Sequence, residues 1–359
     1  MPNQSLGNSG LSISRVVYGA MAFGRRPRDA RVRTLHAAIE AGITSIDTAP
    51  LYEFGESEKM VGEAIADRRE RVQVLSKVGL RWDDEHGDVL FTAHDEAGPR
   101  AVRCDSRPVS VRRDVEQSLR DLGIDALDLC QVHHPDVHVP IADTMGELLR
   151  LRDEGKLQTI GVSNYSAEQI EQAQQALGDV PLVSVQSQYN LLQREVERTV
   201  IPAAQAVGAG LLAYSPLAQG LLARPRVGRT LPASDWRRGV AAFHPTNVRR
   251  IEEAFEKGLL PLARRHAMAE AQIALAWVLA QPGVAAVIVG GSSVAQVQAN
   301  AQAAELVLRA GERSGLAAMF DRVHLDSNVR PRRRDQILDR GERVLQGLAK
   351  RVGRRLPWG

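Results

Sequence analysis

Short apolar runs rich in β-branched residues and leucine alternate along this chain with longer stretches in which apolar positions recur every three or four residues. The first kind occurs at 15–20 (RVVYGA), 44–48 (TSIDT), 72–78 (VQVLSKV), 127–133 (LDLCQVH), 158–162 (QTIGV), 182–187 (LVSVQS), 210–215 (GLLAYS) and 284–289 (VAAVIV). The second kind predicts helices near 29–41, 56–68, 108–123, 140–154, 166–177, 194–208, 247–265 and 294–304. Segment 108–123 carries its own punctuation. Pro108 opens it, Val111, Val115, Leu119 and Leu122 form the apolar stripe, and Gly123 stops it. Strands without clean two-residue alternation are buried on both faces, and each of these eight is followed by a helix. That arrangement predicts an α/β fold, a (β/α)8 TIM barrel, in preference to an open doubly wound sheet.

Three stretches exceed the minimal unit: 80–107 after the third strand, 217–246 after the seventh, and everything beyond 305. The two long loops follow strands directly and are expected to wall a pocket. Residues 6–14 (LGNSGLSIS) read as an N-terminal β-hairpin covering the bottom of the barrel. The chain is therefore expected to be one barrel domain, 1–325, followed by a basic helical tail, 326–359. Within the tail, 335–352 sets Leu338, Leu345, Leu348 and Val352 along one stripe with a basic opposite face. Packing on the barrel's own side is the expectation, ahead of an acidic partner, a membrane surface or nucleic acid.

Composition narrows the class. With 359 residues, 44% hydrophobic and 25% charged, the chain has ordinary globular proportions. The net charge of +3 misleads, because residues 326–359 hold ten Lys or Arg against four Asp or Glu. The basicity belongs to the tail, and the barrel gives no electrostatic footprint for nucleic acid. No charged segment followed by an apolar core marks the N-terminus as a signal peptide, and the most apolar window, 206–223, is too short and too interrupted to span a bilayer. Two cysteines, Cys104 and Cys130, give neither a disulfide framework nor metal-ligand spacing. A cytoplasmic protein without a metal is expected. Cys130 reads as buried and inert, and Cys104, in a loop, has nothing nearby that argues for reactivity.

A barrel of this kind carries its chemistry at the C-terminal ends of its strands. The polar residues there are Asp47, Lys77 and His133, with Tyr52 five residues beyond Asp47. An isolated Asp–Lys pair at a barrel mouth is most often a structural ion pair. Four such groups on consecutive strands make chemical sense together: the ammonium favours phenolate and so lowers the phenol's pKa, the carboxylate holds the ammonium, and an imidazole donates to the same oxygen that the phenol protonates. His134 follows His133 directly, but the alternation 129, 131, 133 turns His133 inward and His134 toward the helices or solvent. Trp82 is a candidate wall of the substrate pocket, together with Tyr52 and His133, with surface packing as its equal alternative. The acidic residues of WDDEHGD and HDE in 80–107 read as a solvated loop.

The motifs IDTAPLYEFGESEKMVGEAI (46–65), LSKVG (75–79), DLCQVHHPD (128–136), GVSNYS (161–166), VQSQYNLLQRE (185–195) and LLAYSPLAQGLL (211–222) occur in an order and spacing that resemble the aldo-keto reductases, over roughly residues 5–304. LGNSGLSISRVVYGAMAFG and VGGSSVAQVQAN are most similar to the branch of bacterial general-stress reductases and potassium-channel β-subunits. The resemblance implies carbonyl reduction with catalytic Asp47, Tyr52, Lys77 and His133. It also implies NADPH/NADP+, with NADH as the alternative, bound across the strand ends without a Rossmann fingerprint. By that resemblance Asp47, Ser163, Asn164 and Gln186 meet the nicotinamide end, Tyr214 stacks on its ring, and Gly19 and Met21 lie near its ribose. Ser215 and Leu217 follow the pyrophosphate, while Gly290, Ser292, Gln296 and Asn300 hold the adenosine end.

Two departures bear on the cofactor. No basic residue occurs from 290 to 300, where many relatives carry one for the 2′-phosphate of NADP, and ARPR follows GLL in place of a lysine-bearing stretch. Arg224, Arg226 and Arg229 are the available substitutes, and Ala299 stands where relatives often have Glu. The implied partner is a small aldehyde, ketone or keto-sugar, in a monomer or a homo-oligomer. Two other readings remain from the same branch, an NADP-holding redox sensor that acts through partners and a keto-sugar reductase whose distal contacts include Trp236, Arg237 and Arg238. Some channel subunits replace the histidine by asparagine, so His133 favours an enzyme.

Overall fold

The computed structural model describes residues 3–21, 27–95, 98–224, 231, 235–327 and 329. The chain opens with β1 (Asn3–Ser5) and β2 (Ser12–Ser14), an antiparallel hairpin in which Gln4 faces Ile13. It then enters β3 (Val16–Gly19), α1 (Arg28–Glu40), β4 (Ser45–Asp47), α2 (Glu56–Ile65) and β5 (Gln73–Val78). An inserted sheet follows, made of β6 (Leu80–Arg81), β7 (Val89–Asp95) and β8 (Gly98–Cys104) in the order β6-β8-β7. The barrel resumes with α3 (Pro108–Leu122), β9 (Leu127–Val132), α4 (Ile141–Asp153), β10 (Leu157–Ser163), α5 (Ala167–Leu177) and β11 (Leu182–Gln188). It continues through α6 (Val200–Ala206), β12 (Gly210–Tyr214), α7 (Pro245–Ala254), α8 (Leu260–His266), α9 (Glu270–Leu279), β13 (Val284–Val289), α10 (Val294–Gln302) and α11 (Ala310–Phe320).

β3, β4, β5, β9, β10, β11, β12 and β13 close into one parallel barrel, with β13 paired to β3. All eight predicted strands are therefore present in the (β/α)8 order. Their β-branched and leucine side chains are buried toward both the helices and the lumen, so the runs show no alternation. The lumen side is a separate cluster of Val17, Leu75, Leu129, Val183, Leu212, Ala286 and Ile288, closed from below by Leu6 and Ile13 of the hairpin. Register brings the upper ends level: Gly19 faces Asp47, Lys77 faces Gln131, Ser163 faces Gln186 and Gln188 faces Tyr214.

Several helices differ from the sequence expectation. The 194–208 stretch shortens to α6 preceded by a 3-10 turn, Glu195–Glu197. The 247–265 stretch is α7 and α8 joined by a π turn over Phe255–Leu259 with Pro261 just beyond it, where proline cannot donate to the preceding turn. Residues 80–107 are not the solvated loop expected from their acidic residues. Leu80, Leu90, Val102 and Cys104 are buried in a core of their own, with Trp82 and Phe91 packed on it. Helices α9 and α11 add to those that the apolar periodicity predicts. The tail helix expected over 335–352 lies outside the described residues, as do Arg226 and Arg229 and the side chain of Trp236. Among the described residues no helix is long and apolar enough to cross a membrane.

Candidate active site

Asp47 ends β4 and Lys77 lies one residue before the end of β5, so adjacent parallel strands deliver the two side chains to the same height. Both are buried, and Lys77 Nζ donates to Asp47 Oδ1 at 2.6 Å. The same ammonium donates to the Thr48 carbonyl at 3.0 Å and meets the Tyr52 hydroxyl at 3.0 Å. Tyr52 is held by an unusual backbone: Glu53, Phe54 and Gly55 all have positive φ, at 50°, 54° and 94°. Three successive left-handed residues fold the loop back over the strand ends, a conformation that costs non-glycine residues about 1 kcal/mol or more each.

His133 directly follows β9, and its backbone N–H donates to the Val78 carbonyl at 2.9 Å. Its ring stands edge-on to Tyr52, with centroids 5.8 Å apart and planes at 84°. Asp47, Lys77 and His133 from the strand ends and Tyr52 from the loop after β4 are thus in one cluster. His134 is half-buried beside it, and burial holds its imidazole down at about 4.

The electrostatics follow from burial. Loss of water is the largest influence on Tyr52 and raises its phenol above the ordinary value, against the pull of the Lys77 ammonium. For Lys77, burial disfavours the charge, but Asp47 and Tyr52 together outweigh it and the ammonium is held above its usual range. His133 is pushed well below 6.5 by burial first, then by Lys77 and His134. The cluster therefore presents a neutral phenol, a charged ammonium and a neutral imidazole near pH 7.

A second row surrounds it. Gln186 Nε2 donates to the other Asp47 oxygen at 2.8 Å, so both carboxylate oxygens are satisfied. Asn164, at φ 62°, donates to the His133 carbonyl at 2.9 Å and to Ser163 Oγ at 3.1 Å, and accepts from the Tyr214 hydroxyl at 2.9 Å. Ser215 is left-handed at φ 49°, and its carbonyl accepts from Asn190 at 3.1 Å. Leu217 packs on the core at the start of the turn Ala218–Gly220. Gly19 ends β3 against Gly290, where a Cβ on Gly290 would sit 3.3 Å from the Gly19 carbonyl. Met21 is 55% exposed just beyond. Ser292 and Gln296 bond to each other at 2.7 Å at the exposed start of α10, and Asn300 donates to the Gly290 carbonyl at 3.2 Å.

Hydroxyl and carboxamide groups at the ends of β10 and β11, with the Tyr214 hydroxyl bonded to Asn164, form a set suited to a carboxamide-bearing aromatic ring, as in nicotinamide. The bonds from Gln186 to Asp47 and from Asn164 to the His133 carbonyl were not legible in the sequence, since neither spacing nor composition reports a partner 139 or 31 positions away. Among the described residues no three His, Cys, Asp or Glu side chains gather to hold a metal. Cys104 is buried, donating to the carbonyls of His134 and Pro135, and burial drives both cysteine thiols well up, which leaves neither reactive.

A model of the aldo/keto reductase family matches residues 15–318. The chain is 33% identical over 308 residues to the aldo-keto reductase YhdN of Bacillus subtilis, a match covering 83% of this chain and 87% of that one. Among solved structures it is similar to the glycerol dehydrogenase AKR11B4 of Gluconobacter oxydans, with a TM-score of 0.80 and 32% identity over 91% of this chain and 98% of that one. It is also similar to the holo form of the aldo-keto reductase AKR11C1 of Bacillus halodurans, with a TM-score of 0.74 and 28% identity over 91% and 99%. That family uses nicotinamide cofactors on small carbonyl compounds. The chain belongs to the aldo/keto reductase family, as an oxidoreductase acting on carbonyl and CH–OH groups.

Proposed function

We propose that the protein is an NADPH-dependent carbonyl reductase that reversibly converts an aldehyde or ketone to an alcohol, with Tyr52 as the general acid. The observation that carries this reading is the buried Lys77 ammonium, bonded at once to Asp47 and to the Tyr52 hydroxyl with His133 edge-on to the same ring. When bound, the cofactor supplies hydride at its nicotinamide ring. Ser163, Asn164 and Gln186 would hold the carboxamide, Tyr214 would stack on the ring, and Gly290, Ser292, Gln296 and Asn300 would take the adenosine end.

The chain's own residues do the rest. Tyr52, neutral because it is buried, gives its proton to the carbonyl oxygen as negative charge develops there. Lys77 favours the phenolate that remains, and Asp47 with the Thr48 carbonyl keeps that ammonium aimed at the hydroxyl. His133, neutral, donates an N–H to the same oxygen without supplying the proton itself. In the reverse direction the phenolate takes the alcohol's proton. An intact His133 and a complete set of four groups favour turnover over a role confined to holding the cofactor.

The test is NADPH oxidation with a panel of aromatic and aliphatic aldehydes and ketones, run beside Tyr52→Phe, with cofactor titrations on both proteins. Loss of the general acid is expected to lower kcat by a factor of about 10² to 10⁴ while the cofactor still binds. Tight binding without turnover of any substrate by the parent protein would reject the enzyme reading in favour of a cofactor-holding sensor.

A further inference from the structure

We infer that Asp114, on the outer helix α3, is a positioning residue that pins the inserted sheet against the loops of Tyr52 and His133 and so sets how large a substrate the site takes. This rests on the reading of Tyr52 and His133 as the reacting pair.

The pin begins two residues beyond Lys77. Gly79 turns the chain out of β5 with φ +91°, and a Cβ there would sit 2.8 Å from Ser106 Oγ, so the turn needs glycine. Its N–H donates to Asp114 Oδ2 at 2.8 Å. The other Asp114 oxygen is paired with Arg81, the second residue of β6, which also grips Asp83 with two bonds of 2.7 and 2.8 Å. Arg81 and Asp114 are 6% and 3% exposed, so water cannot replace either partner cheaply. Arg113, the neighbour of Asp114 on α3, bonds Asp83 at 2.8 Å from outside.

From that anchor the insert reaches both reacting loops. Trp82, next to Arg81, meets the ring of Phe54 at 5.5 Å and 61°. Phe54 belongs to the left-handed run that carries Tyr52, and the Arg100 guanidinium of β8 lies 4.8 Å over the same ring. On the other side, Cys104 Sγ donates to the His134 and Pro135 carbonyls, and the Ser106 N–H donates to Asp136 at 3.0 Å. Among the described residues, the path from Asp114 to Tyr52 runs through Arg81, Trp82 and Phe54. Releasing Arg81 frees the Trp82 ring, which faces Phe54 in the left-handed stretch that follows Tyr52. A bulky substrate that leans on that wall loses its orientation, while a small one held by the phenol and imidazole alone does not.

Asp114→Asn keeps an acceptor for Gly79 and removes the charge facing Arg81; Arg81→Lys is the companion variant that keeps the charge and loses the fork. For both, KM for a bulky aromatic aldehyde is expected to rise about tenfold, with kcat and KM for propanal within about twofold of the parent. Cofactor Kd should be unchanged. In the double variant with Trp82→Ala, Asp114→Asn should add nothing for the bulky substrate. Hydrogen exchange of the full chain gives a readout independent of turnover: amides in 51–56 and 80–104 should exchange faster in Asp114→Asn. Equal losses for both substrates, additivity with Trp82→Ala, or faster exchange confined to 79–83 and 108–116 would overturn the inference. A parent protein that turns over no carbonyl compound rejects the proposed function, and the exchange experiment still decides whether Asp114 pins the Tyr52 loop.

Discussion

Lys77 sits 1% exposed with Asp47, the Thr48 carbonyl and Tyr52 as its partners, and the three are not equivalent. Asp47 supplies the only opposite charge among them. Asp47→Asn therefore leaves an ammonium buried against neutral groups, and is expected to destabilise the protein by about 3–5 kcal/mol. Tyr52→Phe removes one neutral oxygen partner and should cost about 1 kcal/mol. Urea unfolding of the two variants beside the parent checks the ranking, which fails if Tyr52→Phe is the more damaging. The same environment fixes a pH profile. Because His133 is held well below 6.5, it stays neutral through the mildly acid range and sets no limb there. The reductive kcat/KM should be level from about pH 6 to 8 and fall only on the alkaline side, as Tyr52 ionises. A rate that climbs as pH drops through 6.5 would instead assign the proton to an imidazolium.

One scale up, the helices packed behind these strands carry a buried acid of their own. Glu58 of α2 is fully buried and accepts from Ser76 Oγ, on Lys77's own strand, at 2.6 Å, with the Ser118 hydroxyl of α3 beside it. Burial pushes its carboxyl up to about 7 from 4.5. Between those values the folded protein holds a proton that the unfolded chain has released, so stability falls as pH rises from about 4.5 to about 7 and this group contributes no further loss above that. The difference in unfolding free energy between the parent and Glu58→Gln should change by about 3 kcal/mol across this window. A pH-independent difference refutes it. Close packing of the same helix is equally exacting: a Cβ on Gly62 would sit 2.5 Å from the Leu122 carbonyl of α3, and Gly62→Ala should cost about 1–3 kcal/mol.

Elements were legible in the sequence where one rule governed them. All eight strand runs and the Pro108-to-Gly123 helix declared themselves by burial and punctuation. Helix α9 did not, because Ile273 through Leu279 are buried on every side and a helix apolar all round shows no period. The insert is hidden for the opposite reason: Asp83 and Asp84 advertise solvent, whereas Asp83 is committed to Arg81 and Arg113 and the apolar residues at 80, 90 and 102 face a small private core. In the site, Asp47, Lys77 and His133 were visible as polar residues ending buried strands. The Gln186 bond to Asp47 and the left-handed run after Tyr52 depend on the closed barrel and on backbone angles that composition does not report.

At the scale of the whole molecule the barrel separates its two ends. The polar cluster occupies the C-terminal mouth, while the hairpin β1–β2 seals the other end with Leu6 and Ile13, both fully buried under Val17, Leu75, Leu129, Val183 and Leu212. A packed lumen lies between, so the plug reaches the chemistry only through overall stability. Leu6→Ala removes side-chain atoms from a site whose floor is rigid strand backbone and is expected to cost about 2–5 kcal/mol through lost burial and a residual cavity. At a temperature where the variant remains folded, kcat for a small aldehyde and the cofactor Kd should stay within about twofold of the parent, because no residue of the mouth has moved. Lys77→Met makes the complementary case. It deletes the buried charge at the mouth, leaves Asp47 without its cation, and should abolish turnover, whatever its effect on melting. Measuring melting temperature, kcat and cofactor affinity on both variants separates the ends of the barrel. If Leu6→Ala weakened cofactor binding in proportion to its lost stability, the lumen would be transmitting strain along the strands, and the division between a stabilising floor and a reacting mouth would fail.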